Sequence, residues 1–310
     1  MGITRYLGIA EEQDYGVKVE AREFIDPESA ELDPEGEDKL IYEGMSGIDR
    51  VAAPGPYSIG GELTVPLDHK VSPWFFKWAL GSVETSGDEA PYTHTIKPAQ
   101  DPLMKSFTAR IGKDIMEHVF HGCVATSLNI EAENEWVQMT VGVAGAKDSK
   151  DSLDQPVTFT EGNIFAAHQV EMELNSTNET AKVESFSLNI ETGADVESAI
   201  GPGSRFPKRG YRGGLVVDLE LSLGFENLDE LERFWGSSDG PSQSLEDFGA
   251  TIYIGSDIEI TLPKLVYTGM TQPVGGRERI EQTATARALV NGDGDGPVMI
   301  KVTNDIESYN

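Results

Sequence analysis

The nine residues LVVDLELSL, Leu215 to Leu223, place Leu or Val at every odd-numbered position. The positions between them include Asp218, Glu220 and Ser222. A period of two is the pattern of a β-strand that buries one face and exposes the other to water. The stretch therefore predicts a strand with one apolar face and one acidic face.

A related stretch lies about half the chain away. YSIGGELTV (Tyr57–Val65) resembles YRGGLVVDL (Tyr211–Leu219), since both have a tyrosine, two adjacent glycines and then a strand pattern. After the first pair of glycines, apolar and polar residues again alternate. Proline cannot donate a hydrogen bond to a neighbouring strand, so Pro66 predicts that this strand lies at a sheet edge or is bulged there.

Three further landmarks recur in the same order. They are a short helix that ends in Gly-Ser, a Gly-x-Asp turn between strands, and a Val-aromatic-x-Gly segment that leads into a hairpin. The pairs are SPWFFKWALGS (72–82) with NLDELERFWGSS (227–238), IGKDI (111–115) with IGSDI (254–258), and VFHG (119–122) with VYTG (266–269).

Four landmarks in one order predict a duplicated unit. The polar, turn-rich run DSKDSLDQP at 148–156 suggests a boundary there, with one unit at 1–153 and another at 154–310. The weaker alternative is that ordinary turn and strand-end residues recur in this order by chance.

The chain is strongly acidic along its whole length. Its 53 Asp and Glu residues outnumber 24 Lys and Arg residues, which gives a formal net charge of −29. Such a surface repels itself at low ionic strength, whereas at molar salt the Debye length falls to about 3 Å. The composition therefore predicts a halophilic source, with a merely acidic mesophilic protein as the alternative. Direct affinity for nucleic acid phosphates is disfavoured.

The sequence contains no arrangement of residues typical of catalysis or of metal binding. His118 and His121 are three residues apart on an apparent strand, so they point to opposite faces and make a poor metal pair. NGDGDGPVMIKV (291–302) begins like an EF-hand loop but has Val302 where a bidentate Glu is required. We interpret it as a turn, with weak cation binding as the alternative. We therefore expect no enzyme, no cofactor and no metal.

Three other residues have ordinary interpretations. Cys123, the only cysteine, is interpreted as a small buried apolar residue. Asn175 and Asn178 begin formal glycosylation acceptors. We interpret both as polar turn residues, with glycosylation on an outer surface as the alternative. No apolar segment approaches the roughly 18 residues of a membrane span, and no signal peptide is predicted.

Several long stretches resemble the tail tube proteins of siphovirus-type phages and of related archaeal tailed viruses. The specific run extends from VESFSLNIETG at residue 183 to LERFWG at 236. Residues 92–98 (YTHTIKP), 106–112 (SFTARIG) and 118–145 (HVFHGCVATSLNIEAENEWVQMTVGVAG) resemble the same proteins. The resemblance lies in length and order, because no single motif is diagnostic.

The resemblance implies a mainly β fold of two tandem β-sandwich or barrel units, each with one short helix. It implies the major tail tube subunit of a haloarchaeal virus, a structural virion protein that is assembled in the host cytoplasm. Stacked rings of it would surround a channel for viral DNA, with other tail proteins at the tube ends and no membrane. Ordinary tube proteins carry one unit and form sixfold rings, so a two-unit chain predicts a trimer with pseudo-sixfold symmetry; a hexamer is the alternative.

The acidic strand face suggests which residues line the channel, because carboxylates repel phosphate. An equally open alternative is that these residues are ordinary solvated acids on the exterior. The loops at Pro34–Pro56 and Thr192–Arg212 are the expected ring-stacking contacts. A soluble carbohydrate-binding or hydrolytic β-sandwich is the alternative function, and the repeat argues against it. The channel-lining candidates are Glu62, Asp68, Glu131, Asp218, Glu220 and Glu281.

Overall fold

The computed structural model describes residues 3–35, 39–154, 156–276, 279–292 and 296–309. The prediction of a mainly β fold with two short α-helices is confirmed. The elements in chain order are β1 (Leu7–Glu11), β2 (Glu23–Ile25), β3 (Ser29–Glu35), β4 (Lys39–Tyr42), β5 (Val51–Pro54), β6 (Ser58–Pro66), α1 (Ser72–Leu80), β7 (Gly81–Ser86), β8 (Tyr92–Pro98), β9 (Phe107–Lys113), β10 (Met116–Ala132), β11 (Gln138–Gly145), β12 (Lys147–Asp151), β13 (Val170–Leu174), β14 (Thr177–Asn178), β15 (Val183–Glu191), β16 (Val216–Gly224), α2 (Asp229–Trp235), β17 (Phe248–Ile254), β18 (Ile258–Thr271), β19 (Glu281–Ala288) and β20 (Met299–Asn304).

Eight of these strands form one continuous antiparallel sheet, which we call the long sheet. Its order is β3–β6–β11–β10–β15–β16–β19–β18. The first four strands come from residues 29–145 and the last four from residues 183–288. Within each group of four, the strands are connected along the chain in the same way. The two groups meet where β10 pairs with β15.

Two long strands carry the chain from a second layer into the long sheet. The N-terminal part of β10 pairs with β9 on one edge and with β12 on the other, and β9 continues to β1. The N-terminal part of β18 pairs in the same way with β17 and β20, and β17 continues to β13. Both long strands are bulged where they change partners, as is common when a strand passes between packed sheets.

The main hydrophobic cluster of the described residues lies between the layers and contains residues from both halves of the chain. Alternate residues of the long sheet supply it, as the period of two predicts. Every residue of α1 is buried, and the Trp78 ring stacks on that of Phe107 with centroids 4.2 Å apart. Both helices end at a glycine in the left-handed conformation, Gly81 and Gly236, so these predicted stops are confirmed.

The two halves are also joined at their outer layer. The β7–β8 hairpin of the first half pairs with β20 of the second. Tyr309, the last residue that the structure describes, is fully buried, and its carbonyl oxygen accepts a hydrogen bond of 2.6 Å from Lys77 Nζ in α1. The predicted boundary at 153/154 lies in the connection between β12 and β13. Within the described residues, no helix is long and apolar enough to cross a membrane.

The strand register corrects two predicted matches between the halves. Glu62 lies opposite Gly142, which lies opposite Ser127 just after the bulge in β10. Glu220 lies opposite Thr285, which in turn lies opposite Gly269 just after the bulge in β18. The counterpart of GELTVP (61–66) is therefore LELSLG (219–224).

The match between Gly60-Gly61 and Gly213-Gly214 is wrong. The first pair lies inside β6, and the second precedes β16. Each pair contains a glycine required by a local close approach: a Cβ on Gly61 would lie 1.9 Å from the carbonyl oxygen of Glu31. A Cβ on Gly213 would lie 2.1 Å from the carbonyl oxygen of Gly193. The match between VYTG (266–269) and VFHG is also wrong. VYTG contains the bulge of β18, and the corresponding bulge of β10 lies in VATS (124–127).

Replacing Trp78 with Ala removes the largest side chain of the core and leaves a cavity. We expect Trp78→Ala to lower the free energy of unfolding by about 3–5 kcal/mol, measured by denaturant titration in high salt. Trp136→Ala is the matched control, because that indole is 56% exposed, and its loss should be much smaller. Equal losses would contradict the described core.

Candidate functional site

The side of the long sheet that faces away from the core forms a continuous polar surface, which we call the polar face. Because directly opposed residues point to the same side of a sheet, the register defines its rows across the strands. One row crosses seven neighbouring strands and passes through both halves of the chain. It consists of Ser29, Thr64, Thr140, Asn129, Asn189, Asp218 and Arg287.

The polar face is acidic. Arg287 is the only basic residue at its positions in the described strands, and its guanidinium donates hydrogen bonds of 2.8 Å from Nε and Nη2 to the carboxylate of Asp218. The hydrogen bond and charge of Asp218 raise the pKa of Arg287. The other carboxylates of this face, all exposed, are those of Glu31, Asp33, Glu35, Glu62, Glu131, Glu191, Glu220 and Glu281.

Small neutral side chains fill the space between these acids. Ser187 Oγ donates to Asn129 Oδ1 at 2.8 Å, and the hydroxyls of Thr64 and Thr140 lie 3.2 Å apart. No aromatic side chain occupies a position of the polar face in the described strands. Carbohydrate-binding surfaces need rings on which sugars stack, so this composition does not favour the alternative function.

Five of the six predicted channel-lining residues lie together on the polar face. The sixth, Asp68, does not. Its side chain is buried, and its Oδ1 accepts hydrogen bonds from the backbone N–H groups of Lys70 at 2.6 Å and Val71 at 2.7 Å. Burial raises the pKa of this carboxyl. Asp68 holds the turn that precedes α1, and we remove it from the candidate surface.

Sequence reasoning missed the acids of β3 and Glu191 of β15. In SAELDPE (29–35), acids alternate with apolar residues, and this signal could have found the strand. Pro34 hid this signal, because proline is typical of loops and the predicted loop Pro34–Pro56 starts there. Proline is tolerated at a sheet edge, and β3 is the first strand of the long sheet.

The other candidate positions have structural roles. Within the described residues there is no group of three His, Cys, Asp or Glu side chains that could hold a metal. His118 Nε2 lies 2.8 Å from Asp148, and His121 Nδ1 lies 2.8 Å from the Gly16 carbonyl oxygen. The acidic core of the EF-hand-like run, residues 293–295, lies outside the described residues.

Two further interpretations can be compared with the structure. Cys123 is completely buried, as interpreted, and burial raises the pKa of its thiol. Asn175 has a positive φ of 51° and lies in the exposed turn between β13 and β14. Asn178 is exposed in β14, so it is not a turn residue as interpreted.

Comparison with known protein families agrees with this architecture. The sequence model of the phage tail tube protein family matches residues 2–288, which include all eight strands of the long sheet. The chain belongs to the phage tail tube protein family. The family is one of structural virion tail proteins, so this protein is a tail component and not an enzyme. A search of curated proteins finds no significant match.

The different roles of Asp68 and of the polar face predict different mutational costs. Asp68→Ala leaves buried backbone N–H groups without an acceptor, and we expect a loss of about 1–3 kcal/mol in the free energy of unfolding. Asp68→Asn keeps an acceptor and should lose less. Glu220→Gln is exposed and should change stability by about 0.5 kcal/mol or less. Denaturant titration in high salt measures all three, and an equal cost at positions 68 and 220 would contradict the assignment.

Proposed function

We propose that this protein is the major tail tube subunit of a siphovirus-type virus of a halophilic archaeon. In this proposal the chain carries two tube units, and three copies close into a ring with pseudo-sixfold symmetry. The polar face lines a channel through which viral DNA passes. The observation that supports it best is the order of four strands in the long sheet, which occurs twice.

The junction between β10 and β15 suggests how copies join. At this junction the last strand of the first group pairs with the first strand of the second group. In the described residues, no strand pairs with the outer edge of β3 or with residues 266–271 of β18 on the side away from β19. Pairing these edges between copies repeats the same junction, and a head-to-tail contact closes a ring when its rotation permits.

The number three follows from counting units. Sixfold rings of single-unit tube proteins contain six units, and three two-unit chains contain the same number. The main alternative is a hexamer in which only one half of each chain lines the channel. Both halves contribute strands to the polar face, and this favours the trimer.

The charge of the polar face suits passage of DNA. Phosphates approaching a wall of exposed carboxylates are repelled, and the only basic group at these strand positions, Arg287, is already paired with Asp218. In this proposal the wall conducts the duplex without binding it, so that DNA can leave the particle rapidly.

Stacking of rings needs contacts along the tube axis. The β4–β5 hairpin pairs with no other strand among the described residues and carries exposed apolar side chains. The backbone N–H of Tyr57, at its base, donates a 2.9 Å hydrogen bond to the carbonyl of Arg205 in the 192–212 loop. We propose that this hairpin and loop together contact the neighbouring ring, which would cover Leu40, Ile41, Tyr42, Met45 and Ile48.

Assembly of the purified protein tests the proposal. In molar salt we expect hollow tubes or rings by negative-stain electron microscopy, and ring masses by mass photometry that correspond to three chains. Masses of six chains would support the hexamer. A protein that stays monomeric at high concentration under all salt conditions would contradict the proposed function.

The halophilic origin predicts dependence on salt. Lowering the salt from molar concentrations to about 0.1 M lengthens the Debye length from about 3 Å to about 10 Å. With a net charge of −29 per chain, repulsion between copies should then loosen the assembly. Sedimentation velocity across a salt series measures this, and rings unchanged at 0.1 M would contradict the halophilic assignment.

A further inference from the structure

Within the proposed ring, we infer that residues 269–274 of one copy pair with β3 of the next in a single antiparallel register. In this register Thr271 lies opposite Asp33. The inference rests on the proposed function and adds to it the strand edges and the residue pairs of the contact between copies.

The internal junction supplies the template. Six residues of β10 pair with six residues of β15, from Ser127 opposite Glu191 to Ala132 opposite Phe186. The middle of this ladder places Asn129 opposite Asn189 on the polar face. On the other face, Ala132 and Phe186 are both buried at the edge of the core.

The free edge of β18 corresponds to the edge of β10 that pairs with β15. Both strands pair with a hairpin partner after a bulge, at Ala125/Ser127 in β10 and at Tyr267/Gly269 in β18. The last pair that each strand makes with the preceding strand also corresponds. In β10 it is Cys123 opposite Phe107 of β9, and in β18 it is Leu265 opposite Phe248 of β17. Ser127 therefore corresponds to Gly269, and Asn129 to Thr271.

The free edge of β3 corresponds to the edge of β15 that pairs with β10. Glu31 lies opposite Glu62 in β6, and Ser187 lies opposite Glu220 in β16. The register established above makes Glu62 and Glu220 equivalent, so Glu31 corresponds to Ser187 and Asp33 to Asn189. Substituting these equivalents into the internal ladder places Gly269 opposite Glu35, Thr271 opposite Asp33 and Pro273 opposite Glu31.

The same register gives an exposed apolar side chain a partner. It places Val274, which is 77% exposed, opposite Ala30, on the face where Ala132 and Phe186 are buried at the internal junction. It also places Gln272 opposite the buried Leu32. The ladders with β6 and β19 already fix which side of each edge strand is polar. A slip of one residue between copies would place core-facing residues opposite polar-face residues, so the alternation excludes it.

The contact between copies has fewer backbone donors than the internal junction. Pro34 and Pro273 both fall within the predicted six pairs, and neither has an N–H group. The internal ladder contains no proline in its twelve residues. The free edges of β3 and β18 are therefore poor templates for pairing with strands of unrelated chains before assembly. For the same reason, the ring should dissociate between copies before the β10–β15 junction opens.

Cysteine cross-linking of assembled rings tests the register. Directly opposed residues lie close enough for a disulfide, whereas residues displaced by two positions on the same face are about 7–8 Å apart, which is too far. A chain that carries both Thr271→Cys and Asp33→Cys should give a covalent trimer on non-reducing gels after mild oxidation. An equal mixture of the two single variants should give a dimer and nothing larger.

The controls use the neighbouring registers and the native protein. Thr271→Cys combined with Glu31→Cys or with Glu35→Cys should cross-link at least tenfold less, and the wild type should stay uncrosslinked because Cys123 is buried. Preferential cross-linking at position 31 or 35 would overturn the register. Microscopic rings in which no pair cross-links would overturn the edge pairing but leave the proposed function standing. Wild-type protein without rings would overturn the proposed function and this inference with it.

Discussion

The backbone ladder between β10 and β15 determines how the two halves of the chain fit together. It joins two groups of four strands into one sheet, and it does so with the last strand of one group and the first strand of the next. Without this ladder the chain would have two small sheets with four exposed edges. With it, the polar face is continuous across both halves, and the two remaining edges are those that a copy of the same junction would join.

The composition of the polar face and the composition of the core are consequences of the same alternation. Leu219 and Leu221 are buried on one side of β16, and Asp218 and Glu220 lie on the other. A sheet that places so many carboxylates on one surface repels itself, and only Asp218 has a basic partner at the described strand positions of that surface. The cost of this arrangement falls as salt screens the charges. In the proposed tube the same charges repel the phosphate backbone of DNA, so a face that is destabilised at low salt suits a channel wall that conducts DNA without binding it.

Local sequence signals were sufficient for β16 and for both helices, but not for β3 or for the register between the halves. The alternation in LVVDLELSL and the glycine stops of both helices were predictable because each depends on residues a few positions apart.

Five of the six acids that the sequence suggested for the channel do lie on the polar face. Asp68 was misassigned, because its carboxylate is used by the backbone of the turn before α1, a contact that composition does not reveal. The match between the Gly-Gly pairs failed for a related reason. Each pair contains a glycine required by a different local backbone approach, whereas the equivalence of the strands is set by ladders between residues up to 86 positions apart. The acids of β3 were missed because Pro34 resembles a loop signal, although an edge strand tolerates it.

A reconstruction of the assembled tube by electron cryomicroscopy, at a resolution that separates strands, would show how the copies are arranged. We predict that the channel wall repeats after every eight strands, three times around the axis, with β18 of one copy beside β3 of the next and Glu62, Glu131 and Glu220 facing the axis. A wall built from only one half of each of six chains, or one in which the polar face points outward, would contradict it.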